Sequence, residues 1–199
     1  MSEFYSQAGQ DRWVVEYFNH KRGGWFLDVG ANDGIHISNS YYLETVLGWD
    51  GVCVEADPSI FSMLERNRKC RCVNALVSDS SENLSFLQDG LSGRVCNGGN
   101  VSILSRTLRD ILRDAGAPRV IDYMSLDIEG FESKALAGFP FDHHDVVVMT
   151  VEHNLYCGSS DNKDAIKSIL LANGYVIHQE NVVHDGCMFE DWFVNARYA

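Results

Sequence analysis

Proline is scarce. Three prolines in 199 residues, with no run rich in proline and no low-complexity stretch, leave no linker at which to divide the chain. No stretch of ~20 apolar residues is present, so a membrane-spanning helix is not expected, and no secretory leader is read at the start. Basic residues are few: 16 Lys and Arg against 28 Asp and Glu, a formal net charge of −12. A nucleic-acid backbone needs a basic face to neutralise its phosphates, so nucleic acid is not the expected partner. A neutral or cationic small acceptor suits this charge better. Cysteine pairs of the C-x-x-C type are also missing. Cys70 and Cys72 are spaced C-x-C with no matching second pair, and Cys53 lies inside an apolar run. The six cysteines therefore read as reduced thiols of a cytoplasmic protein, not as a zinc or disulfide framework. Finally, there is no Gly-Lys-Ser/Thr phosphate loop.

What is present suits a globular domain: 45% hydrophobic and 22% charged residues. One domain over residues 1–199 is expected, with a helical lead-in over about 1–22. Apolar runs alternate with helical periodicity through most of the chain. Strands are predicted near 25–29, 51–55, 72–77, 121–126 and 146–151, and again near 175–180 and 191–196. Asp57-Pro58 and Thr107 mark helix starts, and Gly116 and Gly174 mark helix ends. Residues 80–104 break the alternation. A hairpin is predicted between Asn83–Leu87 and Val101–Leu104, with a polar, glycine-rich loop over 89–100 that could move over a site. Such alternation predicts an α/β fold with a mostly parallel seven-stranded sheet and helices on both faces. The last two strands, which no helix separates, predict an antiparallel edge pair.

The most informative segment is Phe26-Leu27-Asp28-Val29-Gly30-Ala31-Asn32-Asp33-Gly34. It reads as a buried strand entering a glycine-rich turn, and Gly30 and Gly34 are expected to let the backbone approach a ligand. Glu55 ends the next apolar run roughly twenty residues on, where a carboxylate can accept both hydroxyls of a ribose. A dinucleotide fingerprint needs G-x-G-x-x-G beside its pyrophosphate, whereas here the spacing is G-x-N-x-G. Asp28 suits a cationic or amino group. S-adenosylmethionine (SAM) carries an ammonium, a sulfonium and a ribose, and fits this set. The residues expected around it are Asp28, Gly30, Asn32, Gly34, Ser38, Glu55 and Ala56, with Ser78 and Asp79 near the adenine.

Several motifs in order strengthen that reading: Ser6-Gln7-x-Gly9-Gln10-Asp11, the Asp28 to Gly34 turn, Ser38-Asn39-Ser40, Gly48-Trp49-Asp50-Gly51, Val54-Glu55-Ala56-Asp57-Pro58, Leu126-Asp127-Ile128-Glu129-Gly130 and Glu152-His153-Asn154. Together they resemble the FkbM-type SAM-dependent methyltransferase family, over about residues 5 to 155. The resemblance implies a class I Rossmann-like methyltransferase fold and O-methyl transfer, often to a sugar or a sugar-bearing product. A glycan acceptor follows from it. Separately, the compact length permits the chain to be one domain of a larger glycan-modifying enzyme.

In open α/β sheets ligands bind beyond the carboxyl ends of the strands. The chemistry is therefore sought at Asp127 and Glu129, and at Glu152, His153 and Asn154. Methyl transfer to a hydroxyl needs in-line positioning and a proton acceptor. Two arrangements are open. In one, Asp127 or His153 is a general base, with Glu129 nearby. In the other, Asp127, Glu152 and Asn154 hold a divalent cation such as Mg²⁺ or Mn²⁺, which lowers the hydroxyl pKa. A nicotinamide-dependent oxidoreductase and a non-catalytic SAM-binding module remain as rival readings. Helix capping is the plain alternative for Glu129 and Glu152.

Overall fold

The computed structural model describes residues 4–153 and 160–199. Along the chain run α1 (Gln10–Tyr17), β1 (Trp25–Val29), α2 (Tyr41–Thr45), β2 (Asp50–Glu55), α3 (Pro58–Asn67), β3 (Arg71–Asn74), β4 (Leu76–Val77), β5 (Asn83–Leu87), β6 (Arg94–Val95), β7 (Val101–Arg106) and α4 (Leu108–Ala115). They are followed by β8 (Val120–Leu126), α5 (Glu132–Ala137), β9 (Asp145–Glu152), α6 (Asp161–Ala172), β10 (Tyr175–His184) and β11 (Cys187–Asn195). The main sheet has seven strands in the order β10-β11-β9-β8-β1-β2-β3. β9, β8, β1, β2 and β3 are parallel, and β11 runs antiparallel to both of its neighbours. This is the expected Rossmann-like fold with its antiparallel edge pair.

Burial explains the sheet. Every residue of β9 is buried, and β1 is buried from Phe26 onward. Parallel strands covered on both faces need such runs. Alternate side chains then sort to opposite faces. Leu27 and Val29 join Val54, Leu112 and Met124 in one core, while Phe26 joins Leu43, Leu64 and Tyr123 in the other. Local chemistry sets the helix ends. The Asp57 side chain accepts the Ser59 N–H at the start of α3, and Thr107 accepts the Asp110 N–H at the start of α4. Gly116 ends α4 in the left-handed conformation. No helix among the described residues is long and apolar enough to cross a membrane.

Three segments differ from expectation. The run near 72–77 breaks at Ala75. β3 pairs with β2, whereas β4 leaves to pair with β7 in a second sheet of order β4-β7-β5-β6. The predicted hairpin of β5 and β7 is present, but the expected open loop folds back as a short 3₁₀ turn (Gly90–Ser92) and as β6, paired with β5. The terminal hairpin is longer than the sequence indicated and turns at Asp185-Gly186, both with positive φ. At its base Trp192 stacks on Trp13 of α1, with ring centroids 4.6 Å apart, which fastens the N-terminal segment to the sheet edge.

Candidate active site

A cavity of about 340 Å³ lies along the carboxyl ends of β1, β2, β8 and β9. Asp28, Gly30, Asn32, Ser38, Glu55 and Ala56 line it, as the sequence anticipated. The turn after β1 is held from both sides. Gly30 N and Ala31 N donate to the Val54 carbonyl at 2.9 and 3.0 Å. Gly30 has φ 88, and a Cβ there would stand 1.7 Å from the Asp127 carbonyl oxygen. Its glycine is thus demanded by the loop after β8.

Glu55 joins two turns. Its Oε2 accepts the Asn32 N–H at 3.0 Å and its Oε1 accepts the Asp57 N–H at 2.8 Å. Burial nevertheless pushes its carboxyl above the usual range. Each oxygen keeps a lone pair for a ribose hydroxyl. Replacing Glu55 by Ala should cost about 1.5–3 kcal/mol of affinity for S-adenosylhomocysteine, the loss of charge-assisted hydrogen bonds. Calorimetry reads this directly, and an unchanged affinity would remove Glu55 from the cofactor site.

Behind this wall lies a polar brace that the sequence reading missed. Ser40 Oγ donates to Asp28 at 2.5 Å, and Arg68 Nη2 donates to Ser40 at 3.0 Å. Arg68 also pairs with Glu44 and donates to the Gly34 carbonyl at 3.2 Å. Burial pushes Asp28 up to about 6, with Arg68 and Ser40 opposing. Nothing local in the sequence marks Arg68, which follows the last residue of α3. Asn39 donates through Nδ2 to Ser125 at 2.9 Å, while its buried Oδ1 has no hydrogen-bond partner among the described residues. A buried acceptor facing a cavity suits an ammonium group.

Three of the expected cofactor contacts fall elsewhere. Gly34 does not line the cavity. A Cβ there would meet Leu64 and Arg68 side chains at 2.7 Å, so this glycine admits α3 and not a ligand. Ser78 and Asp79 also lie off the cavity, because the chain turns away at β4. Ala75, Leu76 and Val77 face it instead, while Asp79 pairs with Lys134 at 3.3 Å. From the small sheet, Phe86, Gly90, Gly93 and Val95 close the same end. Polar side chains of the 89–100 segment are engaged within the insertion: Arg94 with the Ser92 carbonyl, and Asn100 with the Gln88 N–H.

At the other end, one carboxylate oxygen from each of Asp127, Glu129 and Glu152 falls within 4.8 Å of the others. Asp127 and Glu152 hydrogen-bond to each other, and both carboxyls are raised, by burial first and for Glu152 then by the Asp127 charge. Two adjacent carboxylates in such a place share a proton. Glu132 holds their loop, accepting the Ile128 and Gly130 N–H groups at 2.9 and 3.1 Å and the Asn162 amide at 2.6 Å. Glu129 has φ 56 and Ile37 has φ 50. Apart from Gly, Asn, Asp and His, they are the two described residues with positive φ, and both line the cavity. Strained backbone of this kind concentrates at functional sites.

His153 stands differently from expectation. It is buried on the side away from the cavity, with Nε2 3.5 Å from Asp191, which also accepts Lys163 at 3.3 Å. A proton-accepting role for it finds no support in this placement. Asn154, the third expected cation ligand, lies outside the described residues. Of the N-terminal motif, Gln7 lines the cavity, while Asp11 binds the Tyr5 N–H and the Ser6 hydroxyl. The hairpin brings His184, Cys187 and Phe189 to the same mouth, which no sequence signal indicated.

Buried acids also set a pH dependence. Burial pushes Glu190 up to about 8, with the charges of Asp127 and Asp191 adding to it, and pushes Glu132 up to about 7. The folded chain keeps these protons where the unfolded chain has lost them. Their stabilisation is complete below about pH 4.5, the ordinary glutamate value, and is lost as pH rises to 7–8. Tm should therefore fall between about pH 6 and pH 8.5, and Glu190→Gln should flatten the slope. A profile that rises over this interval would contradict the assignment.

The family model described as the Methyltransferase FkbM domain matches residues 97–177. No curated protein matches the chain. Among solved structures, the METTL16 MTase domain is 13% identical, with a TM-score of 0.57, over 94% of this chain and 66% of that one. A TehB-like SAM-dependent methyltransferase from Corynebacterium glutamicum is 14% identical, with a TM-score of 0.53, over 98% and 89%. A precorrin-6y C5,15-methyltransferase from Geobacter metallireducens is 10% identical, with a TM-score of 0.51, over 92% and 85%. At such identities the likeness carries the fold alone. The match over residues 97–177 supports the FkbM-type methyltransferase family for that stretch, and the solved structures support the Rossmann-like fold.

Proposed function

We propose that this chain transfers a methyl group to a hydroxyl of a sugar, in a glycan or glycoconjugate. The observation that carries the reading is one cavity holding both the Glu55 turn and the Asp127–Glu129–Glu152 cluster. SAM, when bound, supplies the electrophilic methyl. Its fit rests on the Gly30 cradle, the free lone pairs of Glu55 and the buried Asn39 Oδ1. The chain's own part is to orient the acceptor and to take its proton. Asp127 is the candidate base, and Glu152, hydrogen-bonded to it, spreads the charge.

Charge narrows the acceptor. No Lys or Arg is among the lining residues, and five carboxylates are. The segments outside the description, 1–3 and 154–159, contain no Lys or Arg either. A phosphate-bearing acceptor would meet five carboxylates and no Lys or Arg there. A neutral, hydroxyl-rich acceptor carries no charge for them to repel. A divalent cation is the second reading. Three carboxylates make a hard oxygen donor set, and an ion held by Asp127, Glu129 and Glu152 would lower the pKa of the acceptor hydroxyl.

A screen with labelled SAM across neutral hexosides, deoxysugars, catechols and RNA tests the acceptor. Transfer to the sugars is expected. Transfer only to RNA or to a protein side chain would sink the sugar assignment and leave the methyltransferase standing. EDTA separates the two mechanisms: a base working alone ignores it, whereas a cation-dependent enzyme loses activity and regains it with Mg²⁺ or Mn²⁺.

A further inference from the structure

We propose that Cys53 and Cys70 are a reversible disulfide site whose closure weakens the cofactor end of the cavity. The weakening rests on the SAM reading above; the bond itself does not. Cys53 is fully buried on β2, and Cys70 is partly exposed in the turn between α3 and β3. Their sulfurs stand 3.6 Å apart. A disulfide needs about 2.05 Å, so roughly 1.5 Å of approach is required, within reach of side-chain rotation and a small shift of the turn.

The partly exposed thiol is the one prepared to react. The hydrogen-bonded contact with the Cys53 sulfur, the neighbouring Cys72 thiol and the charge of Arg68 draw Cys70 toward its thiolate. Its backbone is held as well: Glu44 accepts the Lys69 and Cys70 N–H groups at 2.7 and 2.9 Å. A peroxide completes the chemistry. The Cys70 thiolate attacks a peroxide oxygen, the O–O bond breaks, and the departing oxygen takes a proton to become water. Cys70 is left as a sulfenic acid. Cys53 then gives up its proton and attacks the Cys70 sulfur; the S–O bond breaks and a second water leaves. The two sulfurs lose two electrons and hydrogen peroxide gains them. A dithiol reductant reverses the change.

The link to the cavity is Arg68. It lies two residues from Cys70, and its guanidinium supports Ser40, which supports Asp28, and the Gly34 carbonyl of the glycine-rich turn. Closing the bond draws the turn toward β2, and that movement displaces the brace under the cofactor wall.

The test treats the full chain with hydrogen peroxide, blocks remaining thiols, and maps peptides without reduction. A Cys53–Cys70 cross-linked peptide lacking two hydrogens is expected. Affinity for S-adenosylhomocysteine should fall about tenfold, within the usual span of coupling between sites, and return with dithiothreitol. Cys70→Ser should bind like the reduced parent and ignore peroxide, and Cys53→Ala should behave likewise. Free thiols at both positions after treatment, a bond from Cys70 to another cysteine, or a formed bond with unchanged affinity would each overturn the proposal. A reduced chain that does not bind S-adenosylhomocysteine would instead sink the SAM reading, while the peptide map still decides the disulfide.

Discussion

Asp127→Asn is expected to bind S-adenosylhomocysteine nearly as the parent does and to lose roughly 10²–10⁴-fold in kcat, the usual contribution of a positioned base. The separation follows from geometry. The wall proposed for the cofactor is built from β1 and β2, whereas Asp127 follows β8 and lies with Glu152 and Glu129. Asparagine keeps the size and the hydrogen bond to Glu152 but cannot take a proton at neutral pH. The raised carboxyl also matters, because a base held above the ordinary aspartate range accepts a proton more readily. Calorimetry with S-adenosylhomocysteine and single-turnover transfer from labelled SAM measure the two quantities separately. Full activity in this variant would remove both the base and the cation mechanism, since each passes through Asp127.

Gly30→Ala should have the largest effect on the scaffold. The added carbon would stand 1.7 Å from the Asp127 carbonyl oxygen, and φ 88 is a conformation that a side chain resists. Overpacking costs about 1–3 kcal/mol and left-handed backbone about 1–2 kcal/mol more. For a chain of this length, Tm should fall by roughly 5–15 °C. Affinity for S-adenosylhomocysteine should fall with it, because relief comes from parting the β1 turn from the β8 loop. A variant with parental Tm and parental affinity would show that these two loops do not pack as described.

Much of this was legible because the signals were local. Asp57 and Thr107 mark helix starts by capping chemistry, and the apolar runs of β1, β2, β8 and β9 mark buried parallel strands. Glu55 and Asp127 could be placed at the cavity because they end such runs. The failures came from packing between distant segments. Gly34 looked like part of a ligand turn, but Leu64 and Arg68 make it necessary. Ser78 and Asp79 moved off the site because the chain breaks its strand at Ala75, where no breaker residue stands. The terminal hairpin was read short because polar residues such as Gln179, Glu180 and Asn181 interrupt its pattern. His153 was avoidable. A strand alternates its side chains, so with Glu152 facing the cavity the next residue faces the opposite side.

The stacking of Trp13 on Trp192 has a use outside chemistry. Trp13 belongs to the segment that brings Gln7 to the mouth, and Trp192 to the hairpin that brings Phe189 there. Its other two indoles, Trp25 and Trp49, lie elsewhere in the sheet region. Paired indoles emit differently from separated ones. The protein therefore carries an unlabelled optical gauge of its acceptor side, readable before any acceptor is known.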